Sequence, residues 1–245
     1  MGLAVYCPSR RELLTTTAIA LLIAPHAARA AIVKGGMPWI PTAVDPPKIV
    51  RPGPWLFFTA DEAAAVEALV DRLIPADDLT AGGRDLGLAV FIDRQLAGPQ
   101  GRYEGRYMSG PFADGTKQQG DQSPETPAQK YRKALAAIDH YCRGKYDKPF
   151  AQLADADKDT VIGGLEHGSV KLDGTDGEKF FKILLTDTQN GFFADPVYGG
   201  NRDMASWRMI GFPGARYDYR EWVERHNERF TLPPVGISSH PSWTQ

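Results

Sequence analysis

From Thr59 onward, apolar residues return at helical spacing. Val66, Leu69, Val70, Leu73 and Ile74 fall at i, i+3, i+4, i+7 and i+8 behind Thr59-Ala-Asp-Glu62, whose residue types form a capping box, so a helix is expected from there to Pro75. Leu88, Phe91, Ile92 and Leu96 mark one face of a second, short and largely buried helix ending at Gly98, a residue suited to a C-cap. Thr126-Pro-Ala-Gln129 is another capping box with proline in the first turn. The stripe Tyr131, Leu135, Ile138 and Cys142 behind it predicts a helix over 127–146. Two more helices follow: one opened by Asp155 with Val161, Ile162 and Leu165 inward, and one opened by Thr175-Asp-Gly-Glu178 with Phe180, Phe181, Leu184 and Leu185 inward. No alternating run has the character of a strand. The expected fold class is therefore all-α, a single-domain helical bundle.

The pattern breaks in two places. Residues 31–55 contain six prolines, which remove backbone donors and disfavour helix at the residue before each, so an extended arm is expected there. Residues 99–125 are rich in glycine and proline with little apolar periodicity; a segment of that length is a contact or lid region or is disordered, not a simple connector. The resulting division is a leader over 1–30, the arm over 31–55, a helical domain over 56–235 and a tail over 236–245.

The leader reads as an export signal. Arg10 and Arg11 stand before an uncharged, mostly apolar run from Leu13 to Ala24, and Ala28-Arg29-Ala30 places small residues at the positions a signal peptidase reads. The run is too short to span a bilayer, which needs about 20 residues, so cleavage after Ala30 is expected. Ser9-Arg-Arg-x-Leu-Leu14 fits the twin-arginine pattern, lacking only its usual Phe and later Lys; the plainer alternative is a general secretory signal with two arginines in its basic region.

Charge and cysteine usage narrow the function classes. Removing residues 1–30 takes Arg10, Arg11, Arg29 and Glu12 from totals of 28 basic and 30 acidic residues, leaving an acidic excess of about four. No basic patch survives to neutralise phosphates, so a nucleic-acid partner is not expected. Cys7 leaves with the leader, and Cys142 is then the single thiol of an exported chain: either a buried thiol or one half of an intersubunit disulfide.

Candidate chemistry within the domain is sparse. Asp155, Asp157, Asp159 and Glu166 fall at positions 1, 3, 5 and 12 of a calcium loop, but Thr160 occupies the position where such a loop needs glycine; the same stretch also fits an N-capped helix. His140, His167, His226 and His240 lie far apart, with too few neighbours of ligand type for a zinc site. Dinucleotide, phosphate-loop, nucleophile-elbow and covalent-haem motifs are absent from the sequence. The expectation is no catalytic residue, no metal and no cofactor in this chain. Twin-arginine export carries proteins already folded, often around a cofactor, so the most economical reading is that the cofactor belongs to a partner travelling with this chain.

Between Phe192 and Trp243 the chain holds ten aromatics interleaved with Gly, Pro, Asn and Arg. Such residues can close the bundle as a last pair of glycine-punctuated helices. Tyr, Trp, Phe, Met and Arg are also the types enriched where one protein buries surface against another. Taken as an interface, its candidate partner-binding residues are Tyr198, Gly199, Gly200, Asn201, Arg202, Trp207, Phe212, Pro213, Arg216 and Tyr217. The blocks Tyr198-Gly-Gly-Asn-Arg-Asp203 and Gly211-Phe-Pro-Gly-Ala-Arg-Tyr217, with the upstream "FFTADEAAAVEALVDRLIPADD" and "FIDRQLAGP", resemble the gluconate 2-dehydrogenase subunit 3 family over roughly residues 55–235. That resemblance implies a helical, non-catalytic gamma subunit, assembled with a large FAD-bearing subunit of the glucose-methanol-choline type and a cytochrome subunit carrying haem c. It implies a location in the periplasm at the cytoplasmic membrane, reached through the twin-arginine translocase. The rival expectation is a self-sufficient exported enzyme or a calcium-dependent binding protein using Asp155 to Glu166.

Overall fold

The computed structural model describes residues 50–51, 53–113, 115–216 and 219–237. The export residues Arg10, Arg11, Ala28 and Ala30, and the arm up to residue 49, lie outside the described residues.

The expected helices form, and their starts follow from side-chain caps. In α1 (Ala60–Leu73) Thr59 Oγ1 accepts from the Glu62 N–H at 3.3 Å while Glu62 Oε2 accepts from the Thr59 N–H at 2.8 Å. These reciprocal bonds satisfy two donors that a helix start leaves unpaired. Its buried face is Ala63, Val66, Leu69 and Val70. In α4 (Pro127–Tyr146) Thr126 and Gln129 make the same pair of bonds. The other helices are α2 (Leu88–Ala97), α3 (Pro99–Arg102), α5 (Asp155–Glu166), α6 (Gly177–Phe193) and α7 (Ala205–Ile210). Among the described residues there is no strand, only isolated bridges at Leu172–Thr175 and Gly214–Val235. The fold is all-α.

Several boundaries differ from the pattern. Helix α1 stops at Leu73, with Ile74 leaving helical geometry as its C-cap. Asp176, not Thr175, caps α6, accepting from the Lys179 N–H at 3.1 Å. Asp155 is the first helical residue of α5 behind an Ala154 N-cap, where its charge still faces the positive helix end. Gly98 is the C-cap of α2 as expected, in an extended rather than a left-handed conformation, because Pro99 starts α3 at once. The segment 99–125 therefore opens with a helical turn. Asp121 accepts from Lys130 of α4, and its backbone carbonyl accepts from Arg106.

Helix α6 lies at the centre, touching α1, α2, α4, α5 and α7. Phe180, Phe181, Leu184 and Phe192 face the core with Leu69 and Val70 of α1, Ile92 and Leu96 of α2, Leu135 and Ile138 of α4, and Val161 and Leu165 of α5. Burying each such side chain contributes about 1.5–3 kcal/mol. Polar contacts set how the helices register. Arg72 of α1 forks onto Asp159 of α5 at 2.7 and 2.6 Å and reaches Asp155 at 3.3 Å. The bond to Asp159 raises the Arg72 pKa, and the same bond lowers that of Asp159. Tyr131 of α4 stands edge-on to Phe180 and donates through its buried hydroxyl to Asp187 Oδ2 of α6 at 2.7 Å. Burial holds the Asp187 carboxyl above its ordinary range, and burial followed by the Asp187 charge lifts the Tyr131 phenol well above its own.

Candidate partner interface

The last carbonyls of a helix have no partner within it. At the end of α6 three consecutive ones are met by side chains from the segment that follows. Ser206 Oγ donates to Phe192 O, Trp207 Nε1 to Phe193 O at 2.9 Å, and Asn201 Nδ2 to Ala194 O at 2.9 Å. Asn201 Oδ1 in turn accepts from the Ser206 N–H at 3.0 Å and, at 2.8 Å, shares the single Ser206 hydroxyl proton with Phe192 O. Asn201 and Ser206 are fully buried. Asn201 sits at φ 44°, a left-handed conformation that asparagine tolerates better than most residues.

Close backbone approach explains the glycine pair before it. A Cβ at Gly200 would lie 2.3 Å from the Gly191 carbonyl oxygen of α6, so a side chain there would push the segment off the helix. Gly199 combines φ +99° with a neighbour, Val50 Cγ1, 2.9 Å from where its Cβ would stand. The Val50 N–H donates to Val197 O at 2.8 Å, so the first described residue enters beside this turn.

With the polar groups committed to the cap, apolar side chains remain outside. Phe193 is 46% exposed, Ile210 55%, Phe212 45% and Met209 38%, whereas Trp207 is only 5% exposed. The Trp207 ring ties these together: it is bonded to the Phe193 carbonyl and meets Phe212 edge-on with centroids 5.1 Å apart. Tyr198, 43% exposed, lies on the turn leading into the cap. The next residues are braced from behind: Ala215 N–H donates to Val235 O at 2.7 Å, Val235 N–H to Pro213 O at 3.2 Å, and Ile237 N–H to Asp195 Oδ2 at 2.6 Å.

Residues 60–214, which contain both the cap and this face, match the family model described as gluconate 2-dehydrogenase subunit 3. The chain belongs to the gluconate 2-dehydrogenase subunit 3 family. No curated protein and no solved structure matches it.

In this subunit 3 chain the sequence-derived interface residues divide into two groups. Gly199, Gly200, Asn201 and Trp207 build the cap and its close packing, with Asn201 and Trp207 buried in this chain. Tyr198, Arg202 and Phe212 are exposed, and Pro213 and Arg216 are half-buried, the latter donating to Pro233 O at 2.7 Å. Tyr217 lies outside the described residues.

Other candidates take structural positions. Cys142 is fully buried on α4, and burial pushes its thiol up to about 11, with Asp139 adding to the rise. Of the two alternatives for this residue, its place in the core beside Tyr131, Leu135 and Ile138 favours the buried thiol over the intersubunit disulfide. The Asp155–Glu166 stretch is helical throughout and two of its carboxylates hold Arg72, so it does not wrap as a calcium loop. His140 stands 3.8 Å from Asp173 at the surface, and His167 Nδ1 is bonded to Gly163 O at 2.7 Å. Among the described residues no group of three or more His, Cys, Asp or Glu is placed to hold a metal, and no helix is long and apolar enough to cross a membrane.

Asp93 is the residue that pattern reading passed over. Fully buried on α2, it accepts from the N–H groups of Leu56, Phe57 and Phe58, each at 2.9 Å, and pairs with Arg94. It fastens the entry of the domain to the bundle. The available signal was an acid in the apolar run "LAVFIDRQLA", at the boundary of the buried stripe.

Proposed function

We propose that this chain is the non-catalytic small subunit of a periplasmic, membrane-associated, FAD-dependent gluconate 2-dehydrogenase-type complex, and that it assists folding, twin-arginine export and assembly of the flavoprotein subunit. The large partner, of the glucose-methanol-choline type, oxidises a polyhydroxy acid through its FAD, and a cytochrome subunit with haem c passes the electrons on to the quinone pool. The family match over residues 60–214 carries this reading.

The geometry of the cap supports an assembly role. Binding costs the ordering of loops and side chains, and a surface already fixed before contact avoids much of that cost. Here Asn201, Ser206 and Trp207 lock the segment after α6 and leave Phe193, Met209, Ile210 and Phe212 facing outward. Arg10 and Arg11 support export of an already folded assembly.

Co-purification tests the reading. A tagged copy recovered from its native host is expected to bring down a flavoprotein, recognised by its flavin absorbance and its mass. Recovery of a colourless monomer contradicts it.

A further inference from the structure

Two arginines beside the exposed face carry charges that no partner among the described residues neutralises. Seven arginines, from Arg72 to Arg143, are engaged with carboxylates or backbone carbonyls: Arg72, Arg84, Arg94, Arg102, Arg106, Arg132 and Arg143. Arg216, beyond the cap, is likewise engaged with Pro233 O, but two arginines of the cap segment are not. Arg208 lies between Trp207 and Met209 on α7, exposed, and Arg202 opens the turn before α7, also exposed; among the described residues neither guanidinium has a hydrogen-bond or ion-pair partner. Arg51, next to the Val50 that bonds Val197, is also exposed without one, as are Arg225 and Arg229 farther along the chain. Asp203 is the one exposed acid on the same turn.

We infer that the α7 face docks a protein surface with an apolar centre and an acidic rim, and that this surface belongs to the flavoprotein subunit. The assignment rests on the function proposed above. Phe193, Met209, Ile210 and Phe212 supply the centre, where burial of apolar area gives affinity. Arg208 and Arg202 supply the rim. Charges at a rim act mainly on partner choice, orientation and association rate, and salt screens them. Arginine suits this place, because its planar fork can take a carboxylate through two parallel hydrogen bonds.

The test uses the full chain, tagged and expressed in its native host in place of the untagged copy. Wild type is compared with Ile210→Asp, Arg208→Glu and Arg208→Lys, and each is assayed for co-purified flavoprotein by flavin absorbance and mass. All three substitutions are at exposed positions, so unchanged circular dichroism and melting of the isolated variants are expected. The assignment predicts at least tenfold less flavoprotein with Ile210→Asp, several-fold less with Arg208→Glu, and near wild-type recovery with Arg208→Lys. It also predicts that added salt weakens the wild-type complex more than an Arg208→Ala complex. Wild type that captures flavoprotein while Ile210→Asp and Arg208→Glu capture it equally well overturns the docking face and leaves the proposed function standing. Wild type that captures none overturns both. A homodimer in sedimentation that Ile210→Asp dissolves, or Arg208-dependent binding to vesicles of anionic lipid without flavoprotein capture, assigns the face to a second copy or to a membrane and overturns the proposal.

Discussion

Asn201 closes the end of the central helix by donating its side-chain nitrogen to the Ala194 carbonyl at 2.9 Å, seven residues back along the chain. The same amide accepts from the Ser206 N–H and shares the Ser206 hydroxyl proton with Phe192 O. Replacing it with alanine removes three bonds from a buried site and leaves Ala194 O and the Ser206 N–H without their partner. Leaving a buried group unsatisfied costs about 1–3 kcal/mol, so Asn201→Ala is expected to destabilise the chain by at least that amount in urea unfolding. Asn201→Asp is the sharper comparison. It keeps the shape and the acceptor but sets a carboxylate oxygen against Ala194 O, and it should unfold at a lower urea concentration than wild type.

Asp93 anchors the start of the domain through three backbone hydrogen bonds and an ion pair. Asp93→Ala strands the N–H groups of Leu56, Phe57 and Phe58 and leaves Arg94 without its carboxylate. Breaking a buried charged pair of this kind costs about 3–5 kcal/mol. The expected outcomes are a large drop in melting temperature and faster proteolysis near residues 50–58.

The Tyr131–Asp187 pair makes stability depend on pH in a defined direction. The folded pKa of Asp187 is raised above 3.8, so the native chain holds this proton more tightly than the unfolded chain does. Stability from this group is therefore present at low pH and is lost as pH rises through the folded value. Asp187→Asn keeps an acceptor for the Tyr131 hydroxyl and removes the titration. Its melting temperature relative to wild type should be highest near neutral pH and should fall as pH approaches 3.8; a difference independent of pH contradicts this.

Cys142 should be silent to thiol reagents in the native chain and react on unfolding, because it is buried and its thiol is raised to about 11. Fast labelling of folded protein by a disulfide reagent at pH 8 contradicts the burial.

The helices were legible where a local rule decides them. Thr126, Pro127 and Gln129 lie within four residues of one another, and the start of α4 matches the expected residue. Where two rules compete locally, the boundary shifts: Thr175 and Asp176 are both good caps, and Asp176 is the one whose carboxylate reaches the Lys179 N–H. Asp155 contributes charge rather than a cap because it already has helical geometry. The candidate interface was harder for a different reason. Trp207 and Phe212 are five residues apart and alike in composition, yet one caps a carbonyl 14 residues upstream and the other faces solvent. That distinction depends on where the end of α6 stands relative to the following segment, which no short-range pattern records. Asp93 was hidden likewise, since its partners lie 35 to 37 residues earlier in the chain.

The central claim is the proposal that this chain supports a flavoprotein's assembly and export. Its most direct test is an in-frame deletion in the native host, followed by assay of gluconate-type dehydrogenase activity in the cytoplasm and at the periplasmic membrane face. The account predicts that activity at the periplasmic face is lost, is restored by a plasmid copy, and is not restored by the Arg10→Lys/Arg11→Lys variant, because lysine lacks the planar guanidinium fork. Undiminished periplasmic activity in the deletion strain would contradict the account.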